Sequence, residues 1–190
     1  MAETRKQYTQ RAARSDDKKA AGKSSGERAL FVSLDSSDPF SQGLWSRPGF
    51  LVRRLNQIHY AMFFEECKDE NITPVQYGIL TVLSHNPWLD QTEIGYELGL
   101  DRTTAADVIK RLEEKGLLER RVNPEDKRSR QAAITPQGVH TLELLKKGMA
   151  RAQERMLEPL SPRNREKFMA LLVQLVEANN QYGRAMLKAV

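Results

Sequence analysis

Three times in this chain a hydroxyl residue is followed at once by proline: Thr73-Pro74, Thr135-Pro136 and Ser161-Pro162. Each pair is a helix start. The side-chain oxygen accepts from an amide that has no partner inside the helix, and the proline occupies the first turn, where no donor is needed. Gln76, three residues after Thr73, completes a possible capping box. Between and around these starts the punctuation continues. Pro48 opens a segment to about residue 68 with Leu51, Leu55, Ile58 and Met62 at helical spacing. Asp90 and Glu93 can cap a short helix ending at Gly99, and Asp101 another that runs to about Lys115 and stops at Gly116. The last two helices are expected over roughly 136–157 and 162–187. A chain so marked is committed to a mainly α fold.

One stretch breaks the helical rhythm. Residues 119–138 read ERRVNPEDKRSRQAAITPQG, with turn chemistry at Asn123-Pro124-Glu125-Asp126 between two short extended pieces. Alternation puts Leu118, Arg120 and Val122 on one face of the first strand, and Ala132 and Ile134 on one face of the second. Both strands can therefore lay an apolar side on the helices. The order helix, helix, turn, helix, hairpin is that of a winged helix-turn-helix. The reading is mainly α with a small β-wing, divided into a basic arm (1–45), an N-terminal dimerisation helix (46–70), a winged helix-turn-helix domain (71–138) and C-terminal dimerisation helices (139–190).

Charge narrows the function. The net charge is +5, with 29% charged and 39% hydrophobic residues, a polar profile that favours an acidic partner such as nucleic acid. Residues 1–28 carry eight Lys or Arg against four Asp or Glu, too few apolar groups to offset the entropy of ordering them. They read as a mobile arm, either a solubilising tail or an extra nucleic-acid or ligand contact. Residues 30–45 are richer in aromatics and can dock on the body. No segment has the apolar core of a secretory signal, and no apolar run approaches the ~18 residues of a membrane helix. The single cysteine allows no disulfide framework within the chain. A cytoplasmic protein with no membrane partner is the expectation.

The helix over residues 101–116 divides cleanly. Ala105, Val108, Ile109 and Leu112 make the buried stripe. At about 100° per residue the opposite face carries Thr103, Ala106, Asp107 and Lys110, with Arg102, Thr104 and Arg111 on the flanks. That face is small near its start and bears hydroxyls and cations, so it can approach base edges in a major groove. Asp107 can accept from a cytosine amino group or pair with Arg111 or Lys110. In the hairpin, Asp126, Lys127, Arg128, Ser129 and Arg130 project outward. A narrow minor groove concentrates negative potential and attracts an inserted arginine. Asp126 would brace the loop, through Arg128 or Arg130 and loop amides, so that one guanidinium points out.

The run from Leu98 to Gly138 resembles the MarR family of bacterial transcription factors. The elements that carry the resemblance are Arg-Leu-Glu-Glu-Lys-Gly-Leu-Leu-Glu-Arg at 111–120, Asp126-Lys127-Arg128, and Ile134-Thr135-Pro136-Gln137-Gly138. Ile134 departs from the leucine usual there, and residues 1–45 are longer than the usual family N-terminus. The resemblance implies a homodimer built from the terminal helices, with one winged helix per subunit and a near-palindromic double-stranded DNA operator with half-sites about 10 bp apart. By this analogy Arg128 enters the minor groove, while Arg102, Thr103, Thr104 and Lys110 meet the major groove or its phosphates. The residues support a dimer separately: Phe168, Leu171, Leu172, Leu175, Val176, Asn179 and Tyr182 form a stripe, and with the helix from Pro48 it needs a cover. The other cover is mutual packing within a monomer.

Family members commonly release DNA on binding a small effector, often an aromatic acid, where the dimer helices meet the winged domain. Here His59, Tyr60, Phe63, Phe64, Tyr77 and Trp88 are candidates for such a pocket or for plain core. Trp88 through Thr104 is similar to members that govern aromatic-acid breakdown, some answering to the coenzyme A thioester. Arg47, Arg53, Arg54 or the arm could hold the phosphates of a thioester. Redox sensing is not expected of Cys67, which lies near a helix C-terminus among Glu65, Glu66, Asp69 and Glu70. Nor is a metal expected, since His59, His85 and His140 are single and widely spaced. No phosphate-cradling glycine loop, nucleophile elbow or zinc motif marks an enzyme, and no cofactor is implied. The expected function is a ligand-responsive repressor of a catabolic operon. Its rival is a winged helix that binds another protein.

Overall fold

All three hydroxyl–proline pairs start helices. The computed structural model describes residues 43–187, so the basic arm up to residue 42 lies outside the described residues. The helices are α1 (Pro48–Glu66), α2 (Pro74–His85), α3 (Gln91–Leu98), α4 (Arg102–Glu114), α5 (Pro136–Leu157) and α6 (Pro162–Asn179). Thr73 Oγ1 accepts from Gln76 N at 3.2 Å while Gln76 Oε1 accepts from Thr73 N at 3.0 Å, the reciprocal box expected. Asp90 and Glu93 form a second box at the start of α3. Just before α1, Leu44–Ser46 is a 3₁₀ turn, and Trp45 packs edge-on to Phe50.

The hairpin pairs β2 (Leu118–Val122) with β3 (Arg130–Ile134), antiparallel, in the register Leu118↔Ile134 to Val122↔Arg130. Sequence reading missed a third strand. β1 (Leu89–Asp90) pairs with β3 on its other edge, giving the sheet order β1-β3-β2. The return strand is thus central, and both Ala132 and Ala133 are buried. One side chain departs from the expected inner face: Val122 is half exposed. Arg120 does turn inward, and pairs with Glu113 of α4.

One core joins the pieces. Phe63 of α1, Ile79, Leu80 and Leu83 of α2, Ile94 of α3, Ile109 and Leu112 of α4, Leu118 and Ala132 of the wing, and Leu142 and Leu145 of α5 all bury in it. The expected stripe of α4 is therefore the buried one, with Val108 packed at its edge. Thr135 locks the wing to α5. Its hydroxyl caps Gly138 N and donates to Gly116 O at 2.8 Å, while its amide donates to Leu117 O. A β-carbon on Gly138 would fall 2.0 Å from Leu117 O, so only glycine permits this approach.

α1 and α5 cross as closely. A β-carbon at Gly148 would meet Glu66 O at 2.6 Å. Beside it Glu66 accepts from Arg151 Nε and Arg155 Nη1, both at 2.6 Å, and Arg155 also reaches Glu65 at 3.0 Å. α6 buries none of its residues, and Leu171, Leu175 and Val176 stay exposed, as do Leu51, Val52 and Phe64 of α1. The last helix ends at Asn179, not near 187. Asn180 ends it by imitating a peptide: its side chain accepts from Leu187 N and donates to Leu187 O, both at 2.9 Å. Among the described residues no helix is long and apolar enough to cross a membrane.

Candidate nucleic-acid interface

The start of α4 is built by Asp101. Its Oδ1 accepts from Thr104 N at 2.9 Å and its Oδ2 from Thr104 Oγ1 at 2.8 Å. These bonds, the amide first and the hydroxyl second, hold the Asp101 carboxyl below its ordinary range; Arg184 Nη1, 3.9 Å away, assists. The Thr104 proton is thereby committed to capping, a role that sequence reading did not foresee. Arg102, Thr103, Asp107, Lys110 and Arg111 are exposed on the face opposite the core. Of the pairings weighed for Asp107 neither forms; Lys110 leans instead to Glu114 at 3.9 Å. Arg102 faces the Gln91 amide, whose oxygen, turned toward it, accepts from Nε at 2.8 Å.

The wing tip is ordered by its own turn residues. Asn123 Oδ1 accepts from Glu125 N, and Asn123 N donates to Ser129 O, each at 3.0 Å. Asp126 bonds within the loop: its Oδ1 accepts from Arg128 N at 3.0 Å, and its carbonyl from Ser129 N at 3.0 Å and Ser129 Oγ at 3.3 Å. No guanidinium takes part, which leaves the side chains of Lys127, Arg128 and Arg130 exposed.

Between the wing and the starts of α3 and α4 lies a polar cleft of about 490 Å³, lined by Gln91, Arg102, Arg120, Asp126, Arg128 and Arg130, among others. Four arginines converge there. The acids that share it are already engaged: Asp90 accepts from Thr92 N and Glu93 N, Asp126 from Arg128 N. Only Arg120 is neutralised, by Glu113, whose carboxyl that contact holds below its ordinary value. The balance of the cleft is positive, and an anionic polymer is its natural complement.

The effector candidates separate into two places. His59, Tyr60, Phe63, Phe64 and Tyr77 form a chain of ring contacts with centroids 5.8–6.4 Å apart. Phe63 within it is fully buried in the core. Trp88 makes none of these contacts and stacks on Arg121 in the wing. Of the candidates, only His59 lines the cavity of about 390 Å³ between α1, α5 and α6, whose other walls include Val52, Asn56, Met156, Met169 and Leu172. Helical spacing in the sequence marks the apolar ones among these as packing positions. Cys67 is buried, and burial, more than neighbouring Glu66, pushes its thiol up, against a pull from Arg151. Among the described residues no group of three or more His, Cys, Asp or Glu could hold a metal.

A family model described as the MarR family matches residues 72–129. The PcaV transcriptional regulator of Streptomyces coelicolor, solved with its natural ligand, is 34% identical with a TM-score of 0.67, over 72% of this chain and 96% of that one. The chain belongs to the MarR family. The transcriptional repressor CouR, solved bound to a 23-mer DNA duplex, is 30% identical with a TM-score of 0.65, over 70% of this chain and 94% of that one. A putative transcriptional regulatory protein for the hcr operon of Thauera aromatica is 32% identical over 134 residues, 70% of this MarR-family chain and 81% of that relative. The protein is thus a transcriptional regulator of this family.

Proposed function

We propose that this MarR-family regulator works as a homodimer that represses a catabolic operon and releases its operator on binding an aromatic carboxylic acid or its coenzyme A thioester. The observation that carries the DNA-binding part is the convergence of Arg102, Arg128 and Arg130 on one cleft whose acids are bound to backbone amides. Thr103, Lys110 and Arg111 meet the major groove or its phosphates, and Arg128 enters the minor groove, flanked by Lys127 and Arg130. The exposed apolar faces of α1 and α6 support the dimer, and a two-fold dimer reads a near-palindromic site. The aromatic rings from His59 to Tyr77, with the cavity beside His59, support an effector site at the junction of the dimer helices and the winged domain.

Binding to DNA upstream of its own gene, measured across a range of salt, tests the reading. A DNA reader loses affinity steeply as salt rises, by a log–log slope of about 0.9 per phosphate contact. Flat salt dependence and no protected sequence would favour a winged helix that binds protein. Benzoate-like acids and their thioesters, titrated in, should raise the melting temperature and lower operator affinity together, because an effector must favour the non-binding state. If neither compound class shifts either quantity, the effector assignment is wrong.

A further inference from the structure

Trp88 occupies an unusual place for its size. Its φ is +66°, in the left-handed region that a bulky side chain adopts only under constraint. The constraint is the sheet: Trp88 N donates to Ala132 O at 2.8 Å, one residue ahead of the Leu89↔Ala132 pair. So held, the indole presents its face to Arg121, whose Cζ lies 3.8 Å from the ring centroid. The same guanidinium donates from Nε and Nη2 to Gln131 Oε1, at 3.3 and 3.2 Å, across the register pair Arg121↔Gln131. Two independent contacts thus fix its position.

Yet Arg121 remains exposed, and among the described residues no carboxylate pairs with it. Its neighbour Arg120 shows the contrast: on the opposite face of the same strand, that charge is spent on Glu113. Stacking covers one flat side of the Arg121 guanidinium and leaves edge N–H donors for an oxyanion, the geometry in which arginine grips phosphate. A side chain already held in place loses little freedom on binding.

Position supplies the ligand. Arg121↔Gln131 is the second pair below the tip, and alternation puts it on the face of the ribbon away from the cleft of Arg102, Arg120 and Arg130. A ribbon entering a minor groove about 6 Å wide has a phosphate strand on each side. We propose that Arg121, stacked on Trp88, is a second phosphate-binding arm of the wing and meets the strand opposite the one facing the cleft. The proposal rests on the reading of the wing as a minor-groove element.

The test compares the wild type with Arg121→Ala, Trp88→Asn and Arg128→Ala, on an operator fragment and on a mixed-sequence duplex, across a salt series. Arg121→Ala should make the salt slope shallower by about one and weaken both duplexes by a similar factor. Trp88→Asn keeps the charge and suits the left-handed backbone, so its slope should hold while affinity drops roughly two- to fivefold, the worth of an exposed cation–π contact. An unchanged slope in Arg121→Ala, with Arg128→Ala still weakening the operator, overturns the proposal and leaves the DNA reading intact. A lowered melting temperature without a slope change makes the pair a structural brace and overturns it equally. A wild type that binds neither duplex removes the DNA reading and this arm with it.

Discussion

Glu113, in the last turn of α4, accepts a hydrogen bond from Arg120 Nε of the wing at 2.8 Å, and Arg120 Nη2 reaches the same oxygen. A charged contact therefore ties helix to wing at their shared base. Glu113→Gln should cost about 0.5–1 kcal/mol of stability, the range for pairs partly open to solvent. Operator affinity should fall by more than that stability loss alone explains. Urea unfolding and operator titration of the same variant check both; undiminished affinity would mean that the wing holds its angle without this contact.

Acid should weaken the fold in a defined direction. Glu66 is held below the ordinary carboxylate value by hydrogen bonds from Arg151 and then Arg155, Asp101 by Thr104, and Glu113 by Arg120. A carboxyl more acidic in the folded state stabilises it at pH above the unfolded value, and that gain is lost as pH falls through the folded one. The melting temperature should be level near neutrality and drop below the ordinary values of 4.5 for glutamate and 3.8 for aspartate. Glu66→Gln should start lower at neutral pH and show a shallower acid limb in thermal melts.

Removing the Arg128 side chain should weaken operator binding by about 1–3 kcal/mol while leaving the melting temperature unchanged, because the side chain is exposed and makes no hydrogen bond or ion pair among the described residues. Fluorescence anisotropy with operator DNA measures it. Intact affinity would take the wing tip out of recognition.

Gly148→Ala should destabilise by about 1–3 kcal/mol, the usual cost of overpacking. The added carbon would sit 2.6 Å from Glu66 O and 2.8 Å from Cys67 Sγ, and the first of these is backbone that cannot swing aside. Calorimetry decides; an unaltered transition would show that α1 and α5 can slide apart freely.

A charge in the apolar face of α6 should divide the assembly. Leu175 is more than half exposed in the single subunit and stands beside Val176 and Leu171. If α6 joins two subunits, Leu175→Glu should yield monomers in sedimentation velocity and lose operator affinity along with them. Dimers that persist would place the interface elsewhere.

How much of this was legible beforehand follows from how local each signal is. The caps at Thr73, Asp90, Asp101, Thr135 and Ser161 lie within three residues of what they bind, so five helix starts could be read directly. The bond from Arg128 N to Asp126 is equally local, but the guanidinium expected beside the loop amides takes no part in it. What escaped depends on distance. β1 is two residues long and exists because β3 passes beside it. The end of α6 is set by Asn180 reaching Leu187, and helical periodicity alone carried the expectation past it. Alternation placed Arg120 on the inner face, but nothing in the strand names Glu113 as its partner. The left-handed Trp88 is the least readable feature, because that conformation is ordinarily announced by glycine or asparagine.

The pairing of Glu66 with Arg151 and Arg155 spans one turn of α5, and at Gly148 the two backbones touch. The two rods are thus clasped at their crossing by charge and by close backbone approach at once. At its other end α5 is bolted by Thr135 to Gly116 and Leu117, at the root of the wing. One rod, α5, is therefore gripped at both ends, by α1 at one and by the root of the wing at the other.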